Sequence, residues 1–129
     1  MFFKIISAGT SGIEGYIVEV EADMTKGLPG FSLVGLPNAA VKESKERIKS
    51  AVCNSGFRYP TKQIIVNLSP ADIKKEGSHY DLAIALAILR EVENIAEEKF
   101  EDIAFIGELS LDGKLKPIKA CTALILGLL

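Results

Sequence analysis

Tryptophan is absent from the 129-residue sequence, and histidine and cysteine are scarce, with one histidine and two cysteines. Cys53 and Cys121 form no CxxC pair, and one histidine is too few for a metal site of known ligand spacing. Both cysteines fall in predicted helices, which favours buried free thiols in a reducing cytoplasm. Asp72, Glu76 and Asp81 lie in or next to one polar loop, so we interpret them as solvated side chains and expect no metal site.

Long apolar runs and nucleotide-binding motifs are also missing. The apolar run Leu82–Leu89 has eight residues, whereas a membrane-spanning helix needs roughly 20. The N-terminal MFFKIISAG has too short an apolar part for a signal peptide. Neither GxxxxGK[ST] nor GxGxxG occurs, so the chain is expected to hold no ATP or other cofactor of its own. The length favours one domain over residues 1–129, and we expect this cytoplasmic domain to have no membrane partner.

The central stretch KQIIVNLSPADIKKEGSHYDLAIALAIL organises the predicted fold. Gln63–Leu68 has the composition of a buried strand, and Leu82–Leu89 has no polar side, which is typical of a helix inside a core. Ser78 and Asp81 match the S-x-x-D pattern of a helix N-terminus, with Ser78 as the cap. The helix dipole would favour a nucleophile at Ser78 or His79, but capping is the simpler interpretation in a chain with one histidine.

Strands interrupted by single helices, in the order β-β-β-α-β-α-β-β-α, predict the fold class. We expect a two-layer α/β (α+β) domain in which a mixed sheet carries helices on one face. A hairpin turn is expected at Asp112-Gly113. The predicted strands before it are Phe2–Ser7, Tyr16–Ala22, Phe31–Leu36, Gln63–Leu68 and Ile103–Glu108.

The predicted connections and helices complete this outline. Ala8–Gly15 is expected to be a turn-rich link, and residues 91–102 an acidic loop with a short helical turn. Asn38 is the expected cap of a helix that runs to about Asn54. Ala120–Leu129 begins another apolar helix without a cap or a polar tail. We therefore expect that more of the protein follows this chain.

Charge is unevenly distributed along the chain, although its net charge is −2. Residues 1–41 and 76–129 carry net charges of −2 and −5, whereas residues 42–75 carry +5. Basic residues with interleaved aromatics, here Phe57 and Tyr59, are typical of nucleic-acid-binding surfaces. A solvated helix face with interspersed glutamates is the alternative interpretation. The candidate nucleic-acid contacts are Lys42, Lys45, Lys49, Arg58, Lys74 and Lys75.

Several strings of the sequence resemble one protein family. They are similar to the N-terminal domain of magnesium-chelatase-like AAA+ ATPases, the ComM/YifB group of bacterial competence proteins. The similarity covers nearly all of the chain. The strings are residues 27–37 (GLPGFSLVGLP), 41–47 (VKESKER), 67–77 (NLSPADIKKEG), 80–82 (YDL) and 105–113 (FIGELSLDG).

The resemblance implies a fold, a second module and an activity for the longer protein. The implied fold is that of the Lon proteolytic domain, within the ribosomal protein S5 domain 2-like class, and it contains a left-handed β-α-β crossover against the usual right-handed rule. An AAA+ module that binds ATP and magnesium is implied to follow, in a ring-shaped homo-oligomer, a hexamer. Such rings are implied to act as helicases that promote DNA branch migration in natural transformation.

Lon-type peptidases use a Ser–Lys dyad, and the resemblance allows its two positions to be compared. The dyad serine follows a Lys-Asp-Gly string by two residues. Here Lys75-Glu76-Gly77 replaces that string, so His79 occupies the position of the serine. The position of the dyad lysine falls on Thr122. The resemblance therefore implies a scaffold without the peptidase chemistry.

Our leading hypothesis is a non-catalytic N-terminal domain of an AAA+ ATPase. It would dock on the ATPase ring, contact DNA, or do both. One alternative is a Lon-like peptidase with an offset pair, Ser78 and Lys119. The other is a pure assembly domain without DNA affinity.

Overall fold

The computed structural model describes residues 2–11, 14–118, 125 and 128. Helices α1 to α3 span Ala39–Lys42, Ser44–Asn54 and Asp81–Val92, and a 3₁₀ helix spans Glu97–Lys99. Strands β1 to β6 span Phe2–Ser11, Glu14–Thr25, Gly30–Val34, Gln63–Ser69, Glu108–Leu109 and Leu115–Lys116.

Strands β1 to β4 form one mixed sheet in the order β1-β2-β4-β3. β2 pairs antiparallel with β1 and with β4, whereas β3 and β4 are parallel. A parallel pair requires a crossover connection, and α1 and α2 supply it between β3 and β4. β5 and β6 form a separate antiparallel pair. The predicted α/β architecture with a mixed sheet is confirmed.

One face of this sheet forms the core. Ile5, Val20 and Leu68 lie opposite one another on β1, β2 and β4, and all three are buried. Asp23 and Ile65, also opposite each other, lie on the other face and are exposed. α3 packs on β1 and β2, and α2 packs on α3. The helices therefore cover the buried face, as the period-2 pattern of the strands requires.

α3 is the buried helix that its apolar sequence predicts. Four of its residues recur at the spacing of one helix face and form a stripe that packs toward the sheet. None of the four has any exposed surface. This stripe consists of Ala83, Ile84, Ala87 and Ile88. The helix thus joins the sheet to α2 through side-chain packing along its length.

The predicted N-terminal cap of α3 is wrong. Ser78 Oγ donates a hydrogen bond to Glu108 Oε1 instead of accepting one from the helix. The helix begins at Asp81, with Tyr80 at the N-cap position and no side-chain cap. Leu82 N donates to the carbonyl oxygen of Gly107 at 3.1 Å. A neighbouring segment therefore satisfies a helix-end group that a serine cap would otherwise serve.

The predicted link at Ala8–Gly15 is wrong, because β1 and β2 continue into it as a hairpin. Gly9 lies inside β1, opposite Tyr16. A Cβ at Gly9 would lie 2.6 Å from the hydroxyl oxygen of Tyr80 and 2.8 Å from that of Tyr16. This glycine therefore permits close packing of two tyrosines against a strand.

Asn38 caps α1 as predicted, since its Oδ1 accepts a hydrogen bond from Val41 N at 2.9 Å. The helix predicted from Asn38 to Asn54 is interrupted at Glu43, which separates α1 from α2. The apolar residues assigned to its inner face are buried, among them Val41, Ile48 and Val52. β3 ends at Val34 because Gly35 and Leu36 adopt positive φ values of 99° and 56°.

The predicted strand Ile103–Glu108 is wrong. Ala104 forms only an isolated parallel bridge with Ile6, and Phe105 N donates to Ile6 O at 2.8 Å. The hairpin turn at Asp112-Gly113 is confirmed between β5 and β6, with φ of 92° at Gly113. The short helical turn predicted in the acidic loop is also confirmed, as the 3₁₀ helix.

The two cysteine predictions have different outcomes. Cys53 lies in α2 as expected, but it is exposed, because it points away from the buried side that holds Ala51 and Val52. Cys121 and most of the predicted helix Ala120–Leu129 lie outside the described residues. Within the part of the chain that the structure describes, no helix is long and apolar enough to cross a membrane.

Candidate nucleic-acid interface

A buried carboxylate fixes the orientation of α2. Asp81, in the first turn of α3, has no exposed surface, so its interpretation as a solvated side chain is wrong. It accepts hydrogen bonds from Arg47 Nε at 2.8 Å and from Ser44 Oγ at 2.6 Å. The hydrogen bond to Asp81 raises the pKa of Arg47. Because Ser44 and Arg47 are held against α3, the neighbouring positions Lys45 and Lys49 share a different side of α2.

Lys45 and Lys49 line a groove between α2, the start of β3 and the segment that leads into β4. Its cavity has a volume of about 470 Å³. Phe31 and Tyr59 form aromatic walls. The other lining residues are Pro29, Gly30, Glu46, Pro60, Thr61 and Lys62. Cationic and flat apolar walls together suit a ligand that carries both negative charge and rings.

A second cavity of about 290 Å³ adjoins the first. The two form one continuous groove, here called the basic groove, because they share Tyr59, Pro60, Thr61 and Lys62. Arg58 lines the second cavity, and Lys62 is paired there with Glu91. The three other cations of the groove, Lys45, Lys49 and Arg58, form no ion pair with the described residues.

Tyr59 is the aromatic side chain that both cavities share. The Lys49 ammonium lies 5.7 Å from the centroid of its ring, within cation–π range. The ring is half-buried and packs against the core. Burial raises the pKa of the Tyr59 hydroxyl to about 12. The side chain therefore stays neutral at physiological pH and does not repel an anionic ligand.

The structure brings together half of the predicted nucleic-acid contacts. Lys45, Lys49 and Arg58 lie in the basic groove. Lys42, at the end of α1, and Lys74, in the loop after β4, are exposed but line neither cavity. Of the two predicted stacking residues only Tyr59 lies in the groove. Phe57 instead lines an apolar cavity beside α2 and α3.

The prediction of Lys75 as a nucleic-acid contact is wrong. Lys75 has no exposed surface, and its ammonium donates to the carbonyl oxygens of Gly35, at 2.9 Å, and of Pro70. Burial lowers the pKa of Lys75. Its backbone also bonds to the connection after β3, through Leu36 O at 2.9 Å and Asn38 N at 3.0 Å. Lys75 therefore holds two loops together inside the protein.

Sequence reasoning missed Phe31 as a groove residue. Phe31 shares its side of β3 with Leu33, which is buried, so the period-2 pattern assigns both to the core. Phe31, however, is the second residue of β3, where the core ends, and it is only half-buried. The one available signal was its place directly after the loop with Gly27 and Pro29.

The alternative serine site lies in a separate cavity of about 260 Å³ that Ser78, His79 and Glu108 line. Ser78 Oγ donates to Glu108, and His79 Nε2 lies 2.8 Å from the carbonyl oxygen of Ala8. Burial lowers the pKa of His79, so a neutral ring donates from Nε2. Lys119, the lysine of the offset pair, and Thr122, the position of the dyad lysine, lie outside the described residues. Among the described residues, no cluster of His, Cys, Asp or Glu is arranged to hold a metal ion.

Comparisons with known proteins give one family and several relatives. Residues 20–128 match the family described as subunit ChlI of Mg-chelatase. The uncharacterized protein YifB of Escherichia coli is 45% identical over 107 residues, which are 83% of this chain and 21% of YifB. Competence protein ComM of Haemophilus influenzae is 39% identical over 122 residues, which are 95% of this chain and 24% of ComM.

A more distant relative is the Lon protease of Trichlorobacter lovleyi. It is 25% identical over 115 residues, which are 84% of this chain and 14% of the protease. The chain thus spans a quarter or less of the length of these three relatives.

Proposed function

Because the chain belongs to the family of subunit ChlI of Mg-chelatase, and within it to the magnesium-chelatase-like ComM/YifB group, we propose that it is a non-catalytic N-terminal domain that contacts DNA. One observation carries this proposal. Three cations that form no ion pair with the described residues, Lys45, Lys49 and Arg58, converge on one groove that the aromatic rings of Phe31 and Tyr59 also line.

The charge distribution supports the groove as the contact surface. Lysine and arginine side chains that neutralise phosphates release condensed counterions, which drives nucleic-acid binding and makes it salt-dependent. The chain as a whole carries a net charge of −2, so attraction for a phosphate backbone must come from a local group of cations. The basic groove is such a group, because four cations line it against the two carboxylates of Glu46 and Glu91.

For the longer protein we propose the arrangement that the resemblance implies. Residues 1–129 form one domain, and an AAA+ module with its ATP and magnesium follows in a cytoplasmic homo-hexameric ring that serves DNA branch migration in natural transformation. The proposed fold is the ribosomal protein S5 domain 2-like fold of the Lon proteolytic domain, with a left-handed crossover from β3 to β4. The name of ComM as a competence protein and the similarity to Lon protease support these proposals.

Fluorescence anisotropy with labelled DNA tests the DNA contact. Lys45→Glu together with Lys49→Glu should weaken binding at least about tenfold at low salt and reduce the dependence on salt, because two phosphate contacts are lost. The matched control is Lys114→Glu with Lys116→Glu, which makes the same charge change on exposed residues of the β5–β6 hairpin. Binding that ignores both salt and the groove reversal would contradict the proposal. A chain that docks on the ATPase ring without DNA affinity would support the assembly-domain alternative.

A peptidase remains the second candidate because Ser78 donates to the Glu108 carboxylate beside a neutral His79. The similarity to Lon protease points the same way. Casein turnover by the chain that Ser78→Ala abolishes, and that Ser110→Ala leaves intact, would support this candidate. Turnover that is absent, or unchanged in Ser78→Ala, would exclude it.

A further inference from the structure

We propose that the basic groove accepts one unpaired nucleic-acid strand, and that a base of this strand stacks on the ring of Tyr59. This inference rests on the proposed function and gives it a substrate class, single-stranded rather than duplex nucleic acid. It assigns separate tasks to the groove residues: Tyr59 holds a base, and Lys45, Lys49 and Arg58 hold the phosphates on either side of it.

The shape of the groove favours a single strand. Its two cavities measure about 470 and 290 Å³, which is the size range of small-ligand sites. The flat ring of Tyr59 lies where the two cavities meet. In a duplex the faces of the bases are hidden by their own neighbours, so only an unpaired base can lie on such a ring.

The number of cations also favours a single strand. A duplex binder with about 6–10 phosphate contacts owes much of its affinity to those contacts. In the basic groove three cations form no ion pair with the described residues, and Glu46 lies beside them. A short stretch of single strand matches that number, and stacking then supplies binding free energy that the few charges do not.

The contact between Lys49 and Tyr59 suggests how a base enters. In the free protein the Lys49 ammonium lies over the ring, 5.7 Å from its centroid. Lys49 is exposed and its side chain is long, so the ammonium can move to a phosphate while a base takes its place on the ring. The Lys49 ammonium would thus cover the ring in the free protein and leave it when a base stacks there.

An extended acidic peptide is the competing occupant, because β3 is an edge strand of the sheet. A peptide that adds to a sheet needs a row of free backbone groups. The groove meets β3 only at Gly30 and Phe31, and Gly30 N already donates to Lys62 O at 3.4 Å. The geometry therefore favours side-chain contacts, of the kind that phosphates and bases make.

Anisotropy with a labelled 20-nucleotide oligo-dT and a hairpin duplex of equal charge tests this inference on the purified chain. The oligo-dT should bind more tightly than the duplex. Tyr59→Leu, which keeps an apolar side chain against the core, should weaken oligo-dT binding about 5- to 100-fold, the range expected for one stacked base. It should weaken duplex binding much less. Unfolding curves of the variant check that the fold is retained.

Intrinsic fluorescence gives a second readout that does not depend on the stability of Tyr59→Leu. The chain has no tryptophan and three tyrosines. Tyr80 is buried, and the hydroxyl of Tyr16 is buried beside it. Oligo-dT should therefore quench Tyr59 selectively. In Tyr59→Phe, which retains the flat ring, binding should persist within about twofold while the quenching disappears.

The outcomes separate this inference from the proposed function. Equal affinity for oligo-dT and duplex, with Tyr59→Leu unchanged, would overturn base stacking while the DNA contact stands. No binding of either nucleic acid would overturn both. Displacement of oligo-dT by poly-glutamate of equal charge, at equal or lower concentration, would show an acidic peptide site and would also overturn the inference.

Discussion

Lys74 and Lys75 are adjacent in the sequence and have opposite environments. Lys74 is exposed, whereas Lys75 is buried and donates to the carbonyl oxygens of Gly35 and Pro70. A side chain at position 35 would strain the backbone and clash with β4, because φ of Gly35 is 99° and a Cβ would lie 2.3 Å from the carbonyl oxygen of Leu68. The ammonium of Lys75 thus donates to two carbonyl oxygens of half-buried residues in separate loops.

Replacing Lys75 by methionine should lower the free energy of unfolding by about 1–3 kcal/mol. Two carbonyl oxygens lose their donor, and the removal of a buried charge offsets part of this loss. The affinity for DNA should not change, because Lys75 lies outside the basic groove. Urea unfolding and anisotropy measure the two quantities.

Lys74→Met is the matched control for this substitution. Its stability should stay within about 0.5 kcal/mol of the unsubstituted chain, since the side chain is exposed. A Lys75→Met variant that is as stable as this control, or that is folded and binds DNA more weakly, would contradict the structural role of Lys75.

Three elements meet at the N-terminal end of α3. Asp81 receives hydrogen bonds from Arg47 in α2 and from Leu109 N in β5, the latter at 3.0 Å. The segment before β5 adds a backbone bond from Gly107 N to His79 O at 2.9 Å. Because α2 carries two of the cations of the basic groove, the carboxylate of Asp81 also determines where these cations lie.

Asp81→Asn should lower the free energy of unfolding by about 2–4 kcal/mol. The substitution leaves the charge of Arg47 without its buried partner, and the partial exposure of Arg47, 21%, keeps the loss below that of a fully buried pair. Glu43→Gln is the matched control. Glu43 also contacts Arg47, at 3.8 Å, but its side chain is 73% exposed.

The control substitution should cost less than about 0.5 kcal/mol, because exposed ion pairs contribute little. Urea unfolding of both variants measures the difference. Equal losses for Asp81→Asn and Glu43→Gln would show that burial of the carboxylate is not what matters at this junction.

At the level of elements, periodicity predicted the interiors of strands and helices better than their ends. β2, β4 and α3 follow from alternation or from an unbroken apolar run. The errors at Ser78, Gly9 and Ile103–Glu108 have a common cause. At each of these places the local structure depends on a residue far away in the sequence, which forms a hydrogen bond there or packs against the backbone.

At the level of the whole molecule, the sequence indicated the basic region but not the groove. Residues 42–75 carry the positive charge, yet charge alone cannot separate the exposed Lys49 from the buried Lys75. The groove arises where α2, the start of β3 and the segment before β4 come together. Phe31 joins Lys45 and Tyr59 there only because the crossover places β3 beside β4.

His79 links the stability of the whole molecule to pH. Its ring is buried against β1, where Nε2 bonds to Ala8 O, and lies 4.1 Å from the ring of Tyr80. Burial lowers the pKa of His79 below its ordinary value of 6.5. As the pH falls through about 6.5, the unfolded chain takes up a proton that the folded chain does not bind. Stability is therefore retained above this pH and lost below it.

The free energy of unfolding should accordingly decrease from pH 7.5 to pH 5.5, a window above the range in which carboxylates titrate. His79→Gln keeps an N–H donor for Ala8 O but cannot be protonated, so its decrease over the same window should be smaller. Urea unfolding of both chains at the two pH values measures this difference. If both chains lose the same stability between pH 7.5 and pH 5.5, the proton is taken up elsewhere and the burial of His79 does not control the response.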